Sequence, residues 1–491
     1  MVALRLTRFL GQMLEMAQVA GFRVRYFAAI CKRVESLSER LRIRTGQPAS
    51  LRETFHAAWY NSSRDRPELA VPLYERYASE TSDPYGYSHL AVERLLGFGD
   101  YHGAMDAWRR EEEIKSRTLE ASARPDRSIV FFNQFWGIAI GHIAYMDYRL
   151  REGILAGRTS ADTFMLLPPP ERLGNRALLD LWRPYVTMVA TEADLPYPMA
   201  VLGNLEENYY VKRMADGRLL YFWQEAAELY ETWDSSGRRG LLHLPPEWHS
   251  RALAKLRDLG VPKNGWHVCL HVRSSGFHAH HRERMSFLDA DIASYIPAIR
   301  EIVARGGTVI RMGDPDMPPL SSMKGVIDYA HSPHRIDWLD IYLCATARFF
   351  IGTSSGLGYV PALFDVPGVL TNWFPIGTRP WRARDMYIPK LHRERATGRV
   401  VPFSLSLAPP LGYVHVPRRL HEMGMELVDN TPEEITEIVL EMHQELEGGV
   451  RVRPDNHAKA DTFDKIATAA GCSGKSRPGA GFLNRHADLL N

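Results

Sequence analysis

The stretch Phe349-Phe350-Ile351-Gly352-Thr353-Ser354-Ser355-Gly356 decides the fold, because it passes from an apolar run into glycine and small hydroxyl residues. Short apolar runs bounded by turn residues predict buried strands. The next segment, from Leu357 to Phe364, predicts a helix. A strand, a glycine-containing loop and a helix, in that order, form the repeating unit of an α/β domain.

The same alternation runs through the second half of the chain. Its predicted strands are His267–Val272, Thr308–Arg311, Phe349–Ile351 and Gly368–Thr371, and its predicted helices are Ala290–Arg305, Asp337–Ala347 and Leu357–Phe364. This order predicts a mostly parallel, doubly wound sheet. Thr431-Pro432-Glu433-Glu434 then predicts a helix start, because Thr caps helices well, Pro suits the first helical position and Glu the third. We expect the tail after Gly448 to be partly irregular.

An earlier α/β series begins near Ser128. Ile129–Phe132 is a β-rich apolar run, and the segment from His142 to Leu155 predicts a helix after a glycine-containing loop. A second strand around Leu166-Leu167 ends at three prolines. Residues 171–250 are mixed, and their elements cannot be ordered from the sequence.

The N-terminal part of the chain is helical in pattern. Residues 1–47 carry nine Lys and Arg against three Glu, a local charge of +6, with apolar residues at three- and four-residue intervals. This segment is either a helix docked on the body of the protein or a peripheral contact with the anionic inner leaflet of a membrane. Within residues 50–118 the spacing of Leu95, Gly99, Ala104 and Trp108 resembles a single tetratricopeptide-like hairpin.

Composition excludes several classes of protein. The 491 residues are 45% hydrophobic and 24% charged, which excludes a disordered or fibrous chain. A total charge of +2 leaves −4 outside residues 1–47 and argues against nucleic acid as a partner. Four cysteines without C-x-x-C spacing fit neither a disulfide framework nor a zinc ribbon. Without a transmembrane or signal segment, we expect a cytoplasmic protein, with residues 1–47 as the candidate for peripheral attachment to the inner membrane face.

Ligands of open α/β sheets bind beyond the carboxyl ends of the strands. Arg273 to Gly276 follow one predicted strand, and Thr353 to Gly356 follow another and lead into a helix. Backbone N–H groups at a helix N-terminus, together with a forked Arg cation, suit a phosphate group. The residues therefore predict a diphosphate ligand, and an ordinary helix cap at Thr353–Gly356 stays open as the alternative.

The motifs in combination resemble a family of bacterial glycosyltransferases encoded among surface-polysaccharide genes. The resemblance covers roughly residues 128–490. It is carried by Cys269–Arg273, Val309–Asp314, Asp340–Ala345, Phe349–Gly356, Asn372, Asp429–Ile435 and, weakly, Phe482-Leu483. More distantly, His271-Val272-Arg273 with the Ser-Ser loop resembles GDP-fucose fucosyltransferases, and the Ser-Gly loop with Leu357–Pro367 resembles heptosyltransferases.

The resemblance implies the GT-B architecture, with two Rossmann-like domains facing a cleft. Together with the helical pattern of the N-terminal residues, it divides the chain into a helical N-terminal region (1–125), an acceptor-side domain (126–250), a nucleotide-sugar-binding domain (251–428), and a C-terminal helix and tail (429–491).

The same resemblance implies roles for single residues on the donor side. Arg273 would contact the diphosphate, and the loop of Thr353, Ser354, Ser355 and Gly356 would supply hydroxyl and backbone donors. Asp314 would bind the base or ribose of the nucleotide. His271 and Arg311 are further donor-binding candidates, and for both a purely structural place on the strand remains the alternative.

Trp136-Gly137-Ile138-Ala139-Ile140-Gly141-His142 resembles the Gly-His loop of GT-B enzymes. Neutral His suits general-base catalysis near pH 7, so His142 is the candidate base. The alternative is a histidine that caps its own helix, and Glu283 and Asp147 are weaker candidates for the base.

We expect neither a metal nor a cofactor. Asp314-Pro315-Asp316 lies in turn chemistry, and the His278, His280, His281 and Arg282 cluster has spacing that favours an acceptor-side or solvated loop over a metal site.

The sequence thus favours an inverting, metal-independent glycosyltransferase that uses a nucleotide-diphosphate-sugar and a glycan, lipid-linked or protein acceptor. The alternative is a non-catalytic scaffold or nucleotide-sugar-binding protein with an inactive GT-B body. The donor base, the sugar, the linkage and the oligomeric state are not encoded in any motif.

Overall fold

The computed structural model describes residues 51–121, 129–214, 216–263, 265–274, 286–448 and 454–491. The predicted membrane contact of residues 1–47 and the loop prediction at His278–Glu283 lie outside these residues. In the described part of the chain, no helix is both long enough and apolar enough to cross a membrane.

Within residues 51–121, four helices precede the first sheet, and each packs on the next. They are α1 (Leu51–Ser62), α2 (Pro67–Thr81), α3 (Pro84–Phe98) and α4 (Tyr101–Ala121). Gly99 ends α3 in the left-handed conformation (φ +67°), and a Cβ there would lie 2.0 Å from the carbonyl oxygen of Pro410. Leu95, Ala104 and Trp108 are buried around this turn, and the resemblance of their spacing to a tetratricopeptide hairpin stays a prediction.

In the described part of the chain, the first sheet contains three parallel strands in the order β1 (Val130–Phe132), β2 (Thr163–Leu166), β3 (Thr187–Val189). All three residues of β1 are buried, as expected for a parallel strand covered on both faces. The remaining elements of this region are α5 (Ile140–Leu155), α6 (Arg176–Leu181), α7 (Met199–Leu202), the antiparallel pair β4 (Val211–Arg213) and β5 (Leu219–Tyr221), α8 (Phe222–Ser235) and α9 (Pro246–Asp258).

The second sheet has seven strands within the described residues, all paired in parallel, in the order β14-β11-β10-β9-β6-β7-β8. The strands are β6 (Trp266–His271), β7 (Gly307–Arg311), β8 (Val326–Ile327), β9 (Phe350–Gly352), β10 (Gly368–Trp373), β11 (Met386–Pro389) and β14 (Arg477–Pro478). The chain builds β6, β7 and β8 in one direction and then returns to place β9 on the other side of β6. This reversal confirms a doubly wound sheet and places its switch point between β6 and β9.

The helices around this sheet are α10 (Ile296–Ala304), α11 (Asp337–Thr346), α12 (Val360–Leu363), α13 (Phe403–Ser406), α14 (Pro417–Glu422), α15 (Pro432–Leu446), α16 (Pro454–Ala469) and α17 (Ala480–Arg485). A hairpin of β12 (Leu391–Glu394) and β13 (Met425–Val428) completes the elements. The predicted cap of α15 is confirmed, because Thr431 and Glu434 form a capping box with Pro432 at the first position.

Two predicted helices differ in the structure, and each contains a proline near its middle. The helix expected over Ala290–Arg305 begins as a 3-10 turn, and α10 starts only at Ile296 with Pro297 in its first turn. The helix expected over Leu357–Phe364 is a four-residue 3-10 turn, Gly356–Tyr359, followed by the four-residue α12. Proline fits the first turn of a helix and interrupts the ladder elsewhere, which explains both restarts.

The tail after Gly448 is more regular than the sequence suggested. It contains α16 and α17, and β14 pairs in parallel with β11 at the edge of the second sheet.

Candidate functional site

The carboxyl ends of β6 and β9 are tied together at the switch point of the second sheet. The Thr353 backbone N–H donates to the His271 carbonyl at 3.2 Å, and the Arg273 backbone N–H donates to the Thr353 hydroxyl at 3.2 Å. Thr353 is fully buried. Its side chain therefore fixes the backbone at Arg273, and it is not exposed to a ligand.

Ser354 has a similar internal role. Its Oγ accepts a hydrogen bond from the Phe374 backbone N–H at 2.9 Å, which ties the loop after β9 to the end of β10. Of the predicted hydroxyl groups, Thr353 and Ser354 thus each accept a hydrogen bond from a backbone N–H within the protein.

Two other hydroxyls at this edge are not engaged. The Oγ atoms of Ser274 and Ser355 are buried, and neither has a hydrogen-bond partner among the residues that the structure describes. A buried hydroxyl without a partner is costly unless a ligand or water supplies one. These atoms lie on the loops that follow β6 and β9.

Arg273 is a largely buried cation with little compensating negative charge among the described residues. Its side chain is 15% exposed, and its Nε lies 3.5 Å from Asp289 Oδ1, an oxygen that has no hydrogen bond within the described residues. Burial lowers the pKa of Arg273 and raises the pKa of Asp289. A guanidinium offers five N–H donors in a fork, so this side chain retains donors that suit a bidentate anion.

His271 is held neutral beside that cation. Its Nδ1–H donates to the Met312 carbonyl at 3.2 Å, which leaves Nε2 as an acceptor. Burial, together with the charges of Arg273 and Arg311, lowers the pKa of His271 to about 4. At neutral pH this ring can therefore accept a hydrogen bond but does not add positive charge.

Arg311 and Asp314 are placed by local contacts. Arg311 is buried, and its Nη1 donates to Asp328 at 2.9 Å across the end of β7. The Asp314 carboxylate accepts the backbone N–H of Asp316 at 3.0 Å, so the Asp314-Pro315-Asp316 segment is a turn. The structure includes no cluster of three potential metal-ligating side chains within its described residues.

The first turn of α5 carries His142. Its Nδ1–H donates to the Phe135 carbonyl at 2.9 Å, and its ring lies 4.2 Å from the Phe135 ring and 5.0 Å from the Tyr209 ring, centroid to centroid. The side chain does not cap its own helix, because its partner lies outside α5. Burial lowers the pKa of His142 below its usual value near 6.5. A neutral imidazole with Nε2 unprotonated is the form that a general base requires.

Asp147, a weaker candidate for the base, is buried and bonded to other side chains of the protein. Its side chain is 2% exposed, lies 2.6 Å from the Arg151 Nε and accepts the Tyr230 hydroxyl.

The two predicted parts of the site meet in the structure. An added Cβ on Gly141 would lie 2.6 Å from the Gly356 Cα, and one on Gly356 would lie 2.7 Å from the Gly141 Cα. Behind this contact the rings of Tyr145 and Tyr359 lie 4.7 Å apart. The start of α5 therefore packs directly on the loop after β9, and His142 is the residue next to that contact.

Sequence reasoning missed Asp289 and Lys390. The Lys390 ammonium donates to the Asp289 carbonyl at 2.8 Å and to the Asp429 carboxylate at 2.6 Å, and it is almost fully buried. Asp289 stands in no motif, and Lys390 follows β11, a strand that was not predicted. For both residues the only signal in the sequence was a weak one, a charged residue that follows an apolar run.

A cavity of about 160 Å³ lies elsewhere, at the other end of the first sheet. It is lined in part by Val130 and Thr163, the first residues of β1 and β2, and by Arg149. Because these two residues begin their strands, the cavity lies apart from the candidate site at the carboxyl ends, and Arg149 in its lining is paired with Glu225 at 2.8 Å.

Comparisons with known proteins add little to this geometry. No family model matches the chain, and no curated protein matches it. A solved structure described as the glycosyl transferase family 9 from Veillonella parvula DSM 2008 has 13% sequence identity and a TM-score of 0.22. The match covers 45% of this chain and 60% of the other. A likeness this weak supports no conclusion about function, so a functional proposal has to rest on the residues of the site.

Proposed function

We propose that this chain is a glycosyltransferase of GT-B architecture that moves a sugar from a nucleoside-diphosphate donor to an acceptor hydroxyl. One observation carries the proposal: a largely buried Arg273 with little compensating charge stands at the switch point of the parallel sheet, beside the loop that contacts the first turn of α5. Switch points are where doubly wound sheets bind their ligands.

On the donor side, Arg273 binds the diphosphate with its free N–H groups. The hydroxyls of Ser274 and Ser355 supply the neutral donors, because both are buried and without partners among the described residues. The Nε2 atom of His271 accepts a hydrogen bond from a hydroxyl of the nucleotide-sugar. Asp314 is proposed to bind the ribose or the base of the nucleotide. Arg311 acts indirectly, by fixing the end of β7 through Asp328.

The predicted contribution of a helix dipole is smaller than the sequence suggested. The loop leads into a four-residue 3-10 turn, not into a long helix, and short helical segments align few peptide dipoles. Arg273 therefore supplies most of the positive charge in this proposal.

On the acceptor side, His142 is the general base. Its Nε2 takes the proton from the acceptor hydroxyl as that oxygen forms a bond to the anomeric carbon of the donor. The bond from that carbon to the diphosphate breaks, and the electron pair leaves with the diphosphate. A single displacement of this kind inverts the anomeric centre.

Negative charge grows on the departing diphosphate in the transition state. Arg273 then interacts more strongly than in the ground state, which is the condition for catalysis. The nucleotide-sugar is a substrate in this scheme, and the acceptor is a glycan, a lipid-linked saccharide or a protein of surface-glycan synthesis.

The test is a thermal-shift screen of the full chain against GDP, UDP, ADP and CMP. We expect one nucleoside diphosphate to raise the melting temperature, since a ligand that binds only the folded state stabilises it. The shift should be lost in Arg273→Ala and kept in Arg300→Ala, a matched variant at an exposed arginine on α10. No response to any of the nucleotides would contradict the proposal and favour the scaffold alternative.

A further inference from the structure

The segment 206–209 lies against the carboxyl end of β1. Glu206 pairs with Phe131 as a parallel bridge, and the Glu207 backbone N–H donates to the Phe131 carbonyl at 2.9 Å. This places the side chain of Glu206 beside Asn133, whose Nδ2 donates to a Glu206 carboxyl oxygen. Asn133 also accepts the Phe135 backbone N–H at 2.9 Å, so one amide joins Glu206 to the turn that carries Phe135.

Phe135 presents an aromatic ring to solvent next to the proposed base. It is 40% exposed, and among the described residues only Tyr85 and Phe135 are large aromatic side chains exposed by 40% or more. The ring is supported by His142 at 4.2 Å and, edge to face, by Tyr209 at 5.5 Å. It is therefore an exposed apolar surface that two neighbouring rings hold in place.

Glu206 adds a carboxyl group that changes protonation near neutrality. Burial raises its pKa to about 7; the charge of Glu111 acts in the same direction, and Lys115 and the Asn133 amide oppose them. Lys115 is itself paired with Glu111 on α4 at 2.7 Å. One Glu206 oxygen is held by Asn133, and the structure shows no described partner for the other.

We propose that Phe135, Glu206 and Asn133 form a subsite for a pyranose ring of the acceptor. The C–H face of the sugar lies on the exposed Phe135 ring, and its hydroxyls bond to the Glu206 carboxyl and the Asn133 amide. A neighbouring hydroxyl then reaches His142, which contacts the same ring. This inference rests on the proposed function and narrows its acceptor to a saccharide, free or lipid-linked.

The chemistry of the three groups favours a sugar over the side chain of a protein acceptor. A pyranose has a flat apolar face and a polar edge, and it matches a ring flanked by a carboxyl and an amide. A serine or threonine side chain has no comparable face for Phe135 to cover. The helical region contributes through α4, because Glu111 and Lys115 set the charge around Glu206.

The test uses saturation-transfer NMR with a panel of methyl pyranosides of glucose, galactose, mannose and N-acetylglucosamine. We expect at least one to bind the full chain, with binding about threefold to tenfold weaker in Phe135→Leu. Phe135→Trp should retain binding, because it keeps an aromatic face. Glu206→Gln should weaken binding about tenfold, the effect of losing a charge-assisted hydrogen bond.

Leu253→Ala is the matched control, because Leu253 is a 60% exposed apolar residue on α9. It should bind the glycosides like the unmodified chain. Melting temperatures of all variants show whether Phe135→Leu folds. Binding of none of the glycosides, or equal binding by a folded Phe135→Leu, would overturn the subsite.

The donor screen separates this inference from the proposed function. If a nucleoside diphosphate binds and no glycoside does, the saccharide subsite is wrong while the transferase proposal stands. If glycosides bind in a Phe135-dependent manner and no nucleotide does, the subsite stands and the transferase proposal fails.

Discussion

The two sides of the candidate site use the same architecture for opposite chemistry. At the end of β6 and β9 the side chains are a buried cation and unpartnered hydroxyls, centred on Arg273 and Ser355. At the end of β1 they are an exposed aromatic ring, a neutral imidazole and a carboxyl group, in Phe135, His142 and Glu206. Both are carboxyl ends of parallel strands, and they join where Gly141 contacts Gly356.

In the proposed function, this difference in side chains selects the ligand on each side. A parallel sheet decides where a ligand binds, and the residues placed at the strand ends decide which one. The first group suits an anion that gains charge, and the second suits a neutral, hydroxyl-bearing molecule that loses a proton.

The largest effect is expected at the base. His142→Ala should lower kcat by a hundredfold or more, the usual contribution of a general base, with the donor that the nucleotide screen identifies. The acidic limb of the pH–rate profile should lie below pH 6.5, because burial lowers the pKa of His142 and only the neutral ring accepts the proton. If His142→Ala keeps its activity and the same acidic limb, another residue is the base.

The next effect concerns the cation. Arg273→Ala should lower kcat/KM about a hundredfold, since one charged contact to a developing anion contributes about 3 kcal/mol. Arg273→Lys should recover only part of this, because an ammonium lacks the forked donors. Steady-state kinetics measure both, and normal turnover by Arg273→Ala would remove the donor assignment.

The junction between the two sides gives a stability prediction. Gly356→Ala should lower the free energy of unfolding by about 1–3 kcal/mol, because its Cβ would meet the Gly141 backbone at under 3 Å. Gly358→Ala is the control, since its Cβ would meet neighbours no closer than 3.6 Å. Urea unfolding measures the free energy of unfolding of both variants. Equal values would show that the backbone at the junction shifts to make room for the added Cβ.

The smallest effect is electrostatic and separates the two histidines. In Arg273→Ala the pKa of His271 should rise from about 4, because Arg273 is one of the charges that lower it. The pKa of His142 should stay constant, because burial and its bond to Phe135 set it. NMR titration of the ring protons, assigned with His271→Gln and His142→Gln, measures both shifts. Equal changes in the two pKa values would mean that the charge of Arg273 acts on both histidines alike.

Much of the fold was predictable because its strands are continuous apolar runs. β1, β6, β7, β9 and β10 lie where the sequence placed them, and Thr431 to Glu434 cap α15 as predicted. Strands β8 and β14 are two residues long in the structure, which is too short to give a periodic signal. The two helices interrupted at Pro297 and Pro361 show that the first-turn rule for proline outweighed the hydrophobic pattern.

The candidate site was predictable only in part. Arg273 and the Thr353–Gly356 loop are recognisable because they directly follow strands. Which hydroxyls of that loop are bonded within the protein was not predictable, because Thr353 and Ser354 accept hydrogen bonds from backbone N–H groups of distant residues. Glu206 was also invisible, because its segment joins β1 through a single bridge 75 residues away from Phe131 in the chain.

The sequence by itself determined the α/β class, the doubly wound order and the strand ends proposed to bind ligands, because these follow from local apolar patterns and turn residues. Only the tertiary structure decided which side chains remain free to act there. Whether a hydroxyl, a guanidinium or a carboxyl has an internal partner depends on residues brought from far along the chain, as Asp289 is to Arg273 and Asn133 is to Glu206. Burial then sets the charge of each group, and burial exists only once the chain has packed.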